Sequence, residues 1–190
     1  MLRDGPLVLA SRSPQRRAIL EQLGIEFEVR PADVDELETG DPLAAAAENA
    51  ARKARAVPGD TVLEADTVVA LEDRILGQPA DERQAREFVA ALAARTHVVI
   101  GALVLRRDGR EQQATVATTV TFRELGRPEI ERYVASGEWR GRAGGYAIQG
   151  RGGTLVRMIE GDYLNVVGLS VAALLELAPD LRGARRPRAG

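Results

Sequence analysis

Apolar positions along this chain recur with two periods, and the switches between them mark its elements. Residues 7–10 form a short apolar run with the length of a buried strand. Ile19, Leu20 and Leu23 then recur at helical spacing and stop at Gly24, which predicts a first helix. Ser13 is placed to cap that helix and Pro14 fills its first position, where a missing N–H costs nothing. A strand is predicted over residues 27–30. Residues 31–41, PADVDELETGD, carry acids without an apolar period and read as loop. Across residues 42–57, Leu43, Ala47, Ala50, Ala54 and Val57 fall on one helical stripe, with Lys53 beside it and Pro58-Gly59 as the stop.

The second half reads in the same way. Residues 61–71, TVLEADTVVAL, predict a strand with one discordant residue, Asp66, set among β-branched neighbours. Gly77 and Pro79 mark a loop; Asp81 caps a helix whose buried face is Ala85, Phe88, Val89 and Leu92. Between residues 96 and 122 two β-rich runs flank Asp108-Gly109, the signal of a type I′ turn, and predict an antiparallel hairpin. A helix over 128–136 ends at Gly137, and 141–153, GRAGGYAIQGRGG, reads as loop around a short strand. A strand over 154–160 and a helix over 170–178 follow, and the tail from Gly183 to residue 190 is predicted to be disordered. Strand–helix units plus a hairpin imply a mixed α/β fold, a twisted mixed sheet flanked by helices. Residues 1–182 read as one domain, bilobal at most.

Composition narrows the chemistry. At 190 residues the chain can bury a real core, and it has no polar linker to split it. No segment reads as a signal peptide or membrane span, so a cytoplasmic location is expected. With no cysteine and a single histidine, His97, disulfides, thiolate chemistry, zinc sites and a Ser-His-Asp triad have little to work with. A hard cation such as Mg2+ on carboxylates is the metal such a composition allows. A net charge of −2 offers no broad basic surface for nucleic acid; a small anionic ligand fits better.

The segment LASRSPQRR is suited to holding that anion. A helix opening just after Ser13 presents free amides and the positive end of its dipole, and Ser11, Arg12, Arg16 and Arg17 stand nearby as further donors. Asp66 needs a partner or a function, and Asp33, Asp35 and Glu36 are acids that, with Asp66, suit Mg2+ shared with substrate phosphates. From the residues alone two readings stay open. The acidic loop can be solvated, Asp66 a buried anchor, Lys53 a surface charge and Gln149 a partner for backbone groups. His97 reads as structural, and Trp139 and Tyr146 as packing between lobes rather than base-stacking residues.

Taken together, LASRSPQRR, ENAARKA (48–54), EADTVV (64–69), LGQP (76–79), TFREL (121–125), SGE (136–138), GRAGGYAIQG (141–150) and GDYLNVVGLS (161–170) resemble, in order and spacing, the Maf family. The resemblance covers residues 7 to about 178. It implies a nucleoside triphosphate pyrophosphatase that splits the α–β phosphate bond, with a fold similar to the inosine triphosphate pyrophosphatases, two lobes around a central cleft, Mg2+ as cofactor and a homodimer as assembly. It further implies that Ser11 and Arg16 hold phosphate, Lys53 adds a charge, Glu36 and Asp66 serve the metal, and Asp66 is general base. Gln15, Thr67 and Gln149 fall at the positions that separate a dTTP/UTP branch from a 7-methyl-GTP branch. Thr67 and Gln149 match the first, whereas Gln15 replaces the arginine of that branch and the tryptophan of the other. Gln78 stands where the family's LGKP motif has lysine, leaving Arg12 or Arg74 to compensate. Besides the two specificities, a weakly active nucleotide-binding regulator stays open.

Overall fold

The structure, a computed structural model, describes residues 6–182. The predicted tail lies outside the described residues. Strand β1 (Leu7–Leu9), helix α1 (Pro14–Gln22) and strand β2 (Phe27–Val29) form the first unit, with the two strands parallel. Helix α2 (Pro42–Ala56) leads to β3 (Thr61–Leu71), which pairs in parallel with β1. The short β4 (Arg74–Leu76) folds back on β3, α3 (Glu82–Leu92) follows, and β5 (Thr96–Arg107) and β6 (Arg110–Phe122) form the long hairpin. Helix α4 (Arg127–Ala135), strand β7 (Val156–Glu160), α5 (Tyr163–Val167) and α6 (Val171–Leu177) complete the chain. The sheet order is β2-β1-β3-β5-β6-β7, with β4 on the edge of β3. Parallel pairing at one end and antiparallel pairing elsewhere give the expected mixed sheet.

Local chemistry explains most of these boundaries. Ser13, Asp41, Asp81 and Ser170 each accept a first-turn amide of the helix they precede. Asp108 and Gly109 both have positive φ, 51° and 72°, the backbone a type I′ turn requires. Three expectations need correction. Leu43 is exposed, because α2 turns Asn49 inward with Ala46, Ala50 and Ala54, and an inward amide with polar partners outweighs burial of one leucine. No strand forms within 141–153; Gly144 and Gly145, at φ 68° and 71°, instead build a 3-10 turn, and a second spans Arg151–Leu155. Finally, α5 and β4 are elements the apolar period does not reveal. Asn165 fastens the five-residue α5 by donating to Val99 O, Val116 O and Thr118 Oγ1. It can do so because Gly101 has no side chain; a Cβ there would lie 1.9 Å from Asn165 Oδ1.

Side-chain alternation along β3 divides the core. Val62, Val68 and Ala70 face the alanines of α2, together with Ile100, Ala102 and Val104 of β5. On the opposite face, Leu63 and Ala65 pack under α1 and α6, while Val69 and Leu71 pack in a separate cluster with α3 and α4. The two clusters leave Thr67 between them. Alternation also forces Glu64 and Asp66 onto the α2 face, both almost wholly buried among apolar groups.

His97 belongs to the α3–α4 cluster. Its Nε2 pairs with the Tyr146 hydroxyl at 2.8 Å, and Phe122 meets its ring edge-on. Burial lowers its pKa to about 4 from an ordinary 6.5. The unfolded chain therefore binds a proton that the folded chain refuses between those values, so stability falls as pH drops through that window. Urea denaturation should show a loss on the order of 1–3 kcal/mol between pH 7 and pH 4.5 that is largely absent in His97→Gln.

Candidate active site

A gap in strand pairing creates the site. β1 pairs with β3 only at Val62 and Leu63, and β4 pairs with it only from Val69 onward, so residues 64–68 have no strand on that edge. A cleft of about 660 Å³ opens there, a volume suited to a small ligand. Its walls come from the turn before α1, the acidic loop, the end of α5 and the segment around Arg142.

Arg16 spans the open edge. Its Nε donates to Gly168 O (3.0 Å), its Nη1 to Ser11 Oγ (2.7 Å) and Glu64 Oε1 (3.4 Å), and its Nη2 to Thr67 Oγ1 (3.3 Å). Glu64 and Thr67 lie on opposite faces of β3, so the guanidinium must sit at its edge. Four of its five N–H groups serve the protein, which leaves one on Nη2 for a ligand. Arg17 turns outward to Glu21 and does not line the cleft. Glu64 is a residue the sequence reading passed over. It is 1% exposed, its Oε2 has no hydrogen-bond partner, and burial pushes its pKa up to about 8 against the pull of Arg16 and Lys53. The available signal was parity: Glu64 lies two residues from Asp66 and must share its face.

Lys53 is not a surface charge. Its Nζ donates to Asp66 Oδ1 (2.8 Å) and also to Glu36, and its side chain is only 11% exposed. Burial works against the ammonium, yet Asp66 and Glu36 outweigh it and raise its pKa above the ordinary value. Asn49, also passed over, organises the other side of Asp66. Its Nδ2 donates to Asp66 Oδ2 (3.3 Å) and Leu37 O (3.1 Å), and its Oδ1 accepts from Leu37 N (2.7 Å). The acidic loop is thus moored by one amide, and the clue was a lone asparagine on an alanine face. Asp66 proves to be both a buried anchor and part of the cleft wall.

Of the remaining predicted residues, all but Arg74 and Trp139 line the cleft. Gln15 Oε1 accepts from the Ser13 hydroxyl (3.1 Å), while Gln78 and Gln149 are exposed at the cleft wall. Asp33 and Asp35 line it as well, as does Arg12. Arg74 does not; its guanidinium lies over the Phe88 ring. Trp139 is buried with Nε1 on Val134 O, and Tyr146 reaches the cleft wall with its hydroxyl committed to His97.

The family described as Maf-like protein matches this chain over residues 6–181, a span that includes every residue of the cleft. The chain belongs to the Maf family. Among its relatives, the dTTP/UTP pyrophosphatase of Anaeromyxobacter sp. (strain Fw109-5) is 50% identical over 188 residues, covering 95% of this chain and 90% of that protein. The dTTP/UTP pyrophosphatase of Exiguobacterium sibiricum is 47% identical over 176 residues, covering 90% of each. A solved HAM1 protein from Coxiella burnetii aligns with a TM-score of 0.47 at 18% identity, covering 64% of this chain and 75% of its own.

In this Maf chain Asn49 carries three of the bonds that order the site. Asn49→Ala should cost about 2 kcal/mol of stability in urea denaturation, since it strands polar groups in a half-buried place. It should also speed hydrogen exchange at the Leu37 amide.

Proposed function

We propose that this Maf protein hydrolyses the α–β phosphoanhydride of dTTP or UTP, releasing the nucleoside monophosphate and pyrophosphate. The observation that carries the reading is the Lys53–Asp66 pair in the wall of a small-ligand cleft that also holds Arg16 and the mouth of α1. Support comes from relatives at 47–50% identity named dTTP/UTP pyrophosphatase. In this reading Asp66 is the general base, oriented by Lys53 at one oxygen and Asn49 at the other. It takes the proton of a water whose oxygen bonds to phosphorus as the bridging P–O bond breaks toward pyrophosphate. Ser11 and the remaining N–H of Arg16 hold phosphate oxygens, with Lys53 as a further positive charge. Such a reaction depends on positioning and charge neutralisation, which suits a site without cysteine or a free histidine. Gln15, Thr67 and Gln149 offer polar groups for the edge of a pyrimidine.

The residues fit Mg2+. Glu36 and Asp66 converge on one point, the Lys53 ammonium, and Mg2+ takes one or two carboxylates and completes its shell with phosphate and water. Among the described residues no cluster of three or more His, Cys, Asp or Glu is arranged to cage a metal alone. When bound, Mg2+ neutralises phosphate charge and polarises the phosphoryl oxygens. The proposal includes work in the cytoplasm as a homodimer without nucleic acid, as the family resemblance and the net charge of −2 suggest. No helix among the described residues is long and apolar enough to cross a membrane.

A panel of nucleoside triphosphates with Mg2+, read for pyrophosphate and orthophosphate separately, tests the reading. Pyrophosphate from dTTP and UTP is expected; orthophosphate alone would overturn it, and preference for 7-methyl-GTP would reassign the base. Asp66→Asn should lower kcat by about 10²–10⁴-fold with only a modest loss of stability, since Lys53 keeps Glu36 as a counter-ion. Comparable loss of fold and activity would return Asp66 to a structural role. Gln78→Lys, which restores an ammonium at the cleft, should raise kcat/KM on the best substrate several-fold.

A further inference from the structure

The cations of the cleft are unequally committed. Lys53 is paired with Asp66 and Glu36, and Arg16 is tied to Ser11, Glu64, Thr67 and Gly168. Arg142, on the wall formed by residues 141–143, makes no ion pair and no side-chain hydrogen bond among the described residues. Its Nε is buried without any partner. The acid that acts on it from nearby, Glu138, is already engaged by Arg151, through both its amide and its guanidinium. The neighbouring Arg140, by contrast, rests on the Trp139 ring, and Arg12, on the cleft wall and likewise without a partner among the described residues, is exposed to solvent, so Arg142 is the unpaired cation of the wall that is half-buried.

The backbone holds this guanidinium where it is. Arg142 N donates to Trp139 O, Gly145 N to Arg142 O, and Gly144 N to Gly77 O, which fastens the segment to the loop that carries Gln78. Gly144 lies against Val69 so closely that a Cβ would be 2.9 Å from it, and its φ of 68° suits glycine. A half-buried cation without a counter-ion is costly, and burial accordingly lowers its pKa. Folding maintains that cost at the wall of a cleft, where an anionic ligand would relieve it.

We infer that Arg142 binds a phosphate oxygen of the substrate's polyphosphate chain, approaching from the wall of the cleft that carries Gln78. The inference rests on the reading of the cleft as a nucleoside triphosphate site and adds a binding residue to it. Arg142 then supplies a guanidinium to the cleft that the neutral Gln78 also lines, from a different position than either Arg12 or Arg74. The planar fork suits phosphate better than a point charge would.

Calorimetric titration of the full chain with inorganic tripolyphosphate and Mg2+ tests this without requiring turnover. Arg142→Gln and Arg142→Met both keep the aliphatic stem, so at least one should retain the wild-type unfolding midpoint. Either folded variant should bind tripolyphosphate about tenfold more weakly, a difference of about 1.4 kcal/mol. Equal affinity in wild type and variant would overturn the inference, as would a wild type that does not bind tripolyphosphate. A wild type that binds it through Arg142 yet hydrolyses no nucleoside triphosphate would uphold this inference and overturn the pyrophosphatase reading alone.

Discussion

Two acids two residues apart on a buried strand are the constraint around which this molecule is arranged. Glu64 and Asp66 share the α2 face of β3 with Val62 and Val68, and an ionised carboxylate in such surroundings is costly unless paired. Each acid is met differently. Asp66 receives Lys53 and Asn49 from one helix, at positions four residues apart and therefore on one helical face. Glu64 forms its ion pair with Arg16 at 3.4 Å, feels Lys53 from farther off and keeps one oxygen without a partner, and burial outweighs these and favours its neutral form. The same strand thus carries a well-partnered acid and a poorly partnered one that holds an arginine.

Satisfying these acids shapes the fold as well as the site. Lys53 and Asn49 must face the sheet, and this rotates α2 until its contact surface is alanine, small enough for the helix to lie close. Asn49 in turn captures the backbone of Leu37, so a loop with little apolar anchorage is held against the helix and brings Glu36 to Lys53. On the other side, Arg16 draws on Gly168 O at the end of α5, a helix seated by Asn165 over Gly101. Polar contacts from four separate segments meet at the stretch of β3 that lacks a neighbouring strand.

Much of this was legible in the sequence, and the exceptions have a common cause. Strands, capped helices and the Asp108-Gly109 hairpin follow from period, capping and turn chemistry, all of which act over a few residues. The motifs of LASRSPQRR, ENAARKA and EADTVV likewise named residues that the fold brings to one cleft. What escaped depended on partners far away in the chain. Leu43 lost its place in the core to an asparagine whose partners are Leu37 and Asp66; α5 exists because Gly101, more than sixty residues earlier, makes room for Asn165. Arg16 looked free because nothing local shows that Glu64, Thr67 and Gly168 consume its donors.

That consumption bears on how a polyanion is to be held. The cleft wall includes Asp33, Asp35, Glu36, Glu38 and Asp66, together with Glu64, whose neutral form burial favours, against Arg12, Arg16, Lys53 and Arg142, so five charged acids face four bases. Two of those bases are bound to two or more protein acceptors each, so the charge open to a ligand is smaller than the count suggests. A bare triphosphate would meet repulsion from the acidic loop, and attraction would come chiefly from the helix mouth and from arginines not already paired, with Arg16 and Lys53 contributing less. In the proposed reaction, a divalent cation arriving with the substrate would offset the charge of the acidic loop. The committed donors of Arg16 serve geometry more than affinity, fixing Ser11 and Thr67 relative to Asp66 before anything binds.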